Sequence, residues 1–154
     1  MSINFEELLS KQAGEAEKPL PFPVGHYVAD IVGYDTVEVG DKRTPAVEIT
    51  YRLTTALADV DPDEFEQAGG NARLAKVKVR QLLWLTEDAL YRLDTYLGEV
   101  CGLELEGKQY SELLPELTGV TDLVLEISHR PSKSGEEIYL DVKKVHAPDF
   151  EVEG

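Results

Sequence analysis

The sequence has one cysteine, Cys101, one tryptophan, Trp84, and no apolar run near the ~20 residues that cross a membrane as a helix. A lone cysteine excludes an intrachain disulfide. The opening stretch MSINFEELLSKQ lacks the basic and apolar blocks of a secretory signal, and together these absences predict a reducing, cytoplasmic setting. Positive charge is scarce too. Lys and Arg number 15 against 30 Asp and Glu, for a formal net charge of -15. Repulsion on that scale keeps a protein away from phosphate backbones. Nucleic-acid binding then requires local segregation of the few cations, because charge is screened over roughly 8 Å at cellular salt.

Signatures of chemistry are also missing. No Ser, His or Cys lies in a nucleophile elbow, and no glycine loop is built to cradle phosphate. His26, His129 and His146 are scattered, and Cys101 falls on an expected helix as a small core residue. No catalytic residue, metal or cofactor is therefore expected. The segment DVDPDEFEQAGG places Asp59, Asp61 and Asp63 at alternate positions of a calcium-binding loop. Glu64, however, stands where the sharp turn needs glycine, and Gly70 where a bidentate glutamate is needed. A solvated acidic loop is the expectation.

What is present is enough for one core: 154 residues, 42% of them hydrophobic. The pattern divides the chain into a short N-terminal helix and linker over 1–20, a domain over 21–147, and an acidic tail over 148–154. The first strand starts at Gly25, with Tyr27, Ala29 and Ile31 on one parity and Gly33 permitting a bulge. After the hairpin loop EVGDKRTP, a second strand sends Val47, Ile49, Tyr51 and Leu53 one way and Glu48, Thr50 and Arg52 the other. LAKVKVRQLLWL is the third strand. LTEDALYRLDTYLGEVCG reads as a helix capped by Thr86, with Leu90, Leu93, Leu97 and Val100 as its buried stripe and Gly98 or Gly102 as its stop. A short turn or helix, YSELLPELTG, precedes the fourth strand TDLVLEISHR, the turn PSKSGE and the fifth strand EIYLDVKKVHA. This order predicts an all-β fold with one main helix, a five-stranded Greek-key barrel of the OB type. An antiparallel sandwich is the competing architecture. The interrupted first strand favours the barrel, in which it must bend to serve both halves.

In the third strand Lys76, Lys78 and Arg80 alternate with Val77 and Val79, and Trp84 follows on the basic parity. Strand exteriors often carry Lys and Arg simply to discourage edge pairing. Here the surrounding elements add to the pattern. Arg52 lies on the outward parity of the second strand, Lys42 and Arg43 in the first loop, Arg130 and Lys133 beside the fourth-to-fifth loop, and Tyr139 and Lys143 outward on the fifth strand. An OB barrel binds oligonucleotides with these elements. The expectation is that the cations track phosphates while Trp84 and Tyr139 stack bases. Packing of Trp84 beneath the following helix is the plainer alternative. The tail residues Asp149, Phe150, Glu151 and Glu153 read as a mobile acidic-aromatic peptide that docks on partner proteins and competes with nucleic acid for the basic face. A frayed terminus is its plainer reading.

Several stretches carry a family likeness: Gly25 and Tyr27 in a G-x-Y start, LTEDAL at 85–90, the glycine-ended helix reaching Gly102, LPELTG at 114–119 and SGEEIYLDV at 134–142. Over about residues 3–147 the chain resembles a family of small phage-encoded proteins found among replication and recombination genes. That resemblance implies an OB fold, single-stranded DNA as ligand, protection of exposed strands, and replication or recombination proteins as partners, in the host cytoplasm. It carries over no contact residues. The tail departs from the usual single-strand-binder pattern, since Glu151 to Gly154 follow Phe150. Oligomeric state is left open, a homodimer among the options. Two alternatives stand beside this reading: an acidic interaction module or nucleic-acid mimic, and a virion structural protein that reuses the barrel.

Overall fold

The computed structural model describes residues 20–135 and 137–152. The expected N-terminal helix, most of the linker and Glu153 lie outside the described residues. The described residues form five strands: β1 (Gly25–Val39), β2 (Thr44–Ala56), β3 (Lys78–Trp84), β4 (Leu123–Pro131) and β5 (Ile138–His146). Between β2 and β3 lie two short helices, α1 (Pro62–Gln67) and α2 (Gly70–Leu74). Between β3 and β4 lie α3 (Leu90–Thr95) and α4 (Tyr110–Leu113), each flanked by tighter or wider turns. Among the described residues no helix is long and apolar enough to cross a membrane.

All pairings are antiparallel, in the order β3-β2-β1-β4-β5. β1 is the pivot. Its first residues, Gly25–Ala29, pair with β4, while Tyr27 through Val39 pair with β2. The outer strands β3 and β5 approach within 8 Å between Cα atoms, although they are not neighbours in the hydrogen-bonded order. A sheet whose edges come this close is strongly coiled, in a barrel-like manner.

The bend of β1 has a visible cause. Its register against β2 shifts between Ile31 and Gly33, leaving Val32 as an extra residue. One extra residue exchanges the faces of everything after it. Before the shift Tyr27, Ala29 and Ile31 are buried, and after it Tyr34 and Thr36 lie opposite the buried Ile49 and Val47. A second shift makes Thr54 the extra residue on β2, where its hydroxyl donates to the Val28 carbonyl at 3.1 Å.

The inward rows of β1, β2 and β4 make most of the core, with Tyr51, Leu53, Leu123 and Leu125 sealed from solvent. α3 has only six residues, too few to be stable alone. Burial of Leu93, Tyr96 and Leu97 holds it and the turn that follows, each such side chain contributing about 1.5–3 kcal/mol. The Tyr96 hydroxyl meets the Tyr51 hydroxyl at 2.7 Å, and Tyr51 donates to Gln81 at 2.7 Å, so the polar tips of this core are paired.

Three local expectations are corrected. The expected long helix is segmented into a 3-10 turn at Glu87–Ala89, α3, and a π turn at Tyr96–Val100. Thr86 is extended and makes no side-chain capping bond, and only Leu93 and Leu97 of the expected stripe are fully buried. Gly102, at φ +74, ends the segment, whereas Gly98 is a close-approach site where an added Cβ would lie 3.1 Å from Leu105. The third strand begins at Lys78, so Lys76 sits in the turn after α2. The acidic loop is largely α1. The Asp61 carboxylate caps it, accepting from the Asp63 and Glu64 backbone N–H groups at 2.9 and 3.0 Å, with Pro62 at the first helical position.

Candidate nucleic-acid interface

The β2–β3 register sets Arg52 opposite Lys78, Thr50 opposite Arg80, Glu48 opposite Leu82 and Ala46 opposite Trp84. Lys78, Arg80, Leu82 and Trp84 all point outward and are exposed. Trp84 retains 40% of its surface in solvent, so its ring is not sealed beneath the segment that follows. Leu82, unremarked in the sequence pattern, is 39% exposed and completes a row of two cations, an aliphatic and an aromatic side chain. The β1–β2 turn is shaped by Gly40 at φ +77 and Arg43 at φ +51, closed by the Arg43 N–H to Gly40 carbonyl bond of 3.1 Å. It presents Lys42 and Arg43 at the Trp84 end of the sheet, since Thr44 pairs back to Val39 and Ala46 faces Trp84.

The cations on this face are loosely held. Arg52 stands 3.7 Å from Asp30, and Arg80 stands 3.9 Å from Glu48. Exposed pairs of this kind contribute about 0–1 kcal/mol. A phosphate that offers paired oxygens to a guanidinium forms a stronger charge-assisted contact and displaces such a partner. Lys42, Arg43, Lys76, Lys78 and Lys133 make no ion pair with another described residue.

The β4–β5 hairpin is arranged differently. Arg130 donates from Nε to both carboxylate oxygens of Asp141 at 3.1 Å, and its guanidinium lies 5.2 Å from the centre of the Tyr139 ring. The Tyr139 hydroxyl donates to Glu137 at 3.0 Å, and Lys143 pairs with Glu126 at 3.4 Å. These side chains, expected to join the binding face, are engaged with one another and with carboxylates. The hairpin also continues past the Gly25 end of β1, whereas the β1–β2 turn lies at the Val39 end. The structure therefore groups Arg52, Lys78, Arg80 and Trp84, with Lys42 and Arg43 at their end, and the register does not bring Arg130, Lys133, Tyr139 or Lys143 into that row.

A second cluster escaped the sequence pattern. His26 and His146, read as scattered, are brought together with Glu126 by the β1–β4 and β4–β5 pairings, and the three offer donor atoms that all lie within 4.8 Å of one another. Asp59, just past β2, accepts from the His26 backbone N–H at 2.9 Å and meets its ring Nδ1 at 2.7 Å. Partial burial alone would raise the Asp59 carboxyl, but these His26 contacts outweigh it and hold it below the ordinary carboxylate value. Partial burial, then the nearby His26 and Lys144, lower His146 from its ordinary value. His129 lies apart and is tied by Nε2 to the Phe22 carbonyl at 2.7 Å. Only the three-strand pairing reveals this cluster, and no spacing in the sequence signals it.

The tail also differs from expectation. The Phe150 ring stacks on His146 with centroids 3.7 Å apart and planes 8° apart, and lies 5.4 Å from the His26 ring. Phe150 is thus packed against the β1–β4–β5 side rather than placed over the basic row. Cys101 is partly buried, and burial pushes its thiol up to about 11, which keeps it protonated and unreactive at neutral pH. In comparisons with known proteins, no family model and no curated protein matches the chain.

Proposed function

We propose that the protein binds single-stranded DNA along the outward face of β2 and β3, with little sequence preference and without chemistry. The observation that carries this reading is the exposed row of Lys78, Arg80, Leu82 and Trp84 beside Arg52. Cations spaced along a strand follow a phosphate chain, and an open aromatic ring at the end of the row offers a stacking surface to any base. Charge segregation supports the same reading. The connection from Glu87 to Glu116 is strongly acidic, with Arg92 and Lys108 its only cations, while β3 carries no acid at all.

The finer fold is part of the proposal. A five-stranded barrel of the OB type is supported by the strand order, the shared first strand, the approach of β3 to β5 and a helical connection between β3 and β4. The resemblance to phage replication and recombination proteins points the same way, and implies protection of exposed strands in the cytoplasm of a host. One observation favours an acidic protein-binding module instead, namely the exposed acids Asp94, Glu99, Glu104, Glu106 and Glu112 around α3 and α4.

Trp84 is the only tryptophan, so intrinsic fluorescence reports directly on the proposed face. Titration with oligo-dT at low salt is expected to quench it, with tighter binding than a duplex of equal length. Trp84→Phe, followed with labelled oligonucleotide, should weaken binding. Equal or tighter duplex binding overturns the stacking mode. Absence of any binding, with stable self-assembly, moves the virion structural reading ahead.

A further inference from the structure

We propose that His26, Glu126 and His146 form a binding site for a divalent transition-metal ion, zinc foremost. Two imidazoles and a carboxylate are ligand types that zinc takes readily, and three protein ligands leave one position for water. The His26 Nε2 to Glu126 Oε1 distance is 3.6 Å. Ligands held about 2.0–2.2 Å from a tetrahedral ion stand roughly 3.4 Å from each other, so this pair already has the required separation. His146 completes the set within 4.8 Å.

The surroundings are organised as an outer shell should be. Asp59 meets His26 at Nδ1, which directs the other ring nitrogen, Nε2, toward Glu126 as the coordinating atom. Phe150 stacked on His146 restricts rotation of that ring. Lys143 pairs with Glu126 through Oε2, so Oε1 faces the histidine without disturbing that pair. A cleft lined by Gly25, His26, Asp59, Glu126 and Lys143 opens the His26–Glu126 side of the site to solvent. The ligands come from the start of β1, from β4 and from the end of β5, so a bound ion would tie these strands to one another. The inference is independent of the nucleic-acid reading.

The competing account is that His26 merely lies between the Asp59 and Glu126 carboxylates, at 2.7 and 3.6 Å, which needs no metal. Equilibrium dialysis and competition with a chromophoric chelator distinguish them, using zinc, cobalt and magnesium salts with the full chain. The expected result is one zinc per chain, a raised thermal midpoint, a visible cobalt spectrum of tetrahedral type and no magnesium binding. Glu126→Gln, nearly isosteric, and His146→Ala should each weaken zinc binding about a hundredfold or more. Asp59→Asn should weaken it about 10–100-fold, as loss of an outer-shell partner does. Lys143→Ala should tighten it by removing a neighbouring cation, and His129→Ala should leave it unchanged. Absence of stoichiometric zinc from the parent protein overturns the site. So does undiminished binding in folded Glu126→Gln, which serves even where an alanine variant fails to fold.

Discussion

The outward face of β2–β3 and the junction of β1, β4 and β5 are both polar, yet they are built in opposite ways. On the first, arginines stand 3.7 and 3.9 Å from half-buried carboxylates, and Leu82 and Trp84 remain open. On the second, His26 is held by Asp59 at 2.7 Å, His146 is covered by Phe150, and Glu126 faces both His26 and Lys143. Loose, solvated cations suit a long ligand whose charge is repeated and whose sequence varies. Tightly placed donors with an orienting shell suit a small ligand of fixed geometry. The contrast assigns the two regions to different ligands, and makes them separable by mutation.

The largest expected effect tests the loose face. Replacing Lys76, Lys78 and Arg80 together with alanine should weaken oligo-dT binding and flatten its log–log salt dependence by up to about two units, at about 0.7 per phosphate contact. Zinc affinity should be unchanged, and stability should shift by within about 0.5 kcal/mol per site. An unaltered salt slope in the folded variant would make the alternation an ordinary solvated strand face. Neutralising Asp59, Asp61 and Asp63 is not a clean charge control, because Asp59 positions His26 and Asp61 caps α1.

A smaller effect, of opposite selectivity, comes from Gly25→Ala. Gly25 has φ +143, and an added Cβ would lie 2.7 Å from Val60 Cγ2, pressing on the segment that carries Asp59. Backbone strain of this kind costs about 1–3 kcal/mol, measurable by denaturant unfolding. Zinc affinity should fall while Trp84 quenching by oligo-dT persists. If oligonucleotide affinity falls in parallel, the two regions are coupled and the comparison fails.

The smallest effect lies outside both regions. Because the folded Cys101 thiol sits at about 11 against an ordinary 9.0, its reaction with a thiol reagent should be slow at neutral pH and accelerate only as pH rises through about 11. The sign for stability follows from linkage. The contribution is fully present below about 9 and is lost as pH rises through about 11, where the unfolded chain has already released its proton. Fast modification at neutral pH would contradict the burial of this thiol.

Much of the fold was legible in residue order. Tyr27, Ala29 and Ile31, and likewise Val47, Ile49, Tyr51 and Leu53, are buried as their alternation requires, and the bulge falls beside Gly33. The basic row was legible too, because Lys78, Arg80 and Trp84 are neighbours on one strand. The helices were read less well. Asp61 and Pro62 are good start signals for α1, but in so acidic a run they also suit a loop. Of the two glycines that suit a helix stop, Gly102 ends the segment, whereas Gly98 lies under Leu105, a contact made after the chain has turned back.

Between bulges, the sequence by itself determined which side chains share a strand face, since the period of two is a property of the local backbone. It determined the scarcity of positive charge and the freedom of β3 from acidic residues. Tertiary structure alone decided which strands lie side by side. Pairing of β4 with both β1 and β5 brings His26, Glu126 and His146 together and lays Phe150 on their edge. The physical reason is range. Alternation acts between residues a few positions apart, whereas a site assembled from distant segments exists only after the core has set the order and register of the sheet.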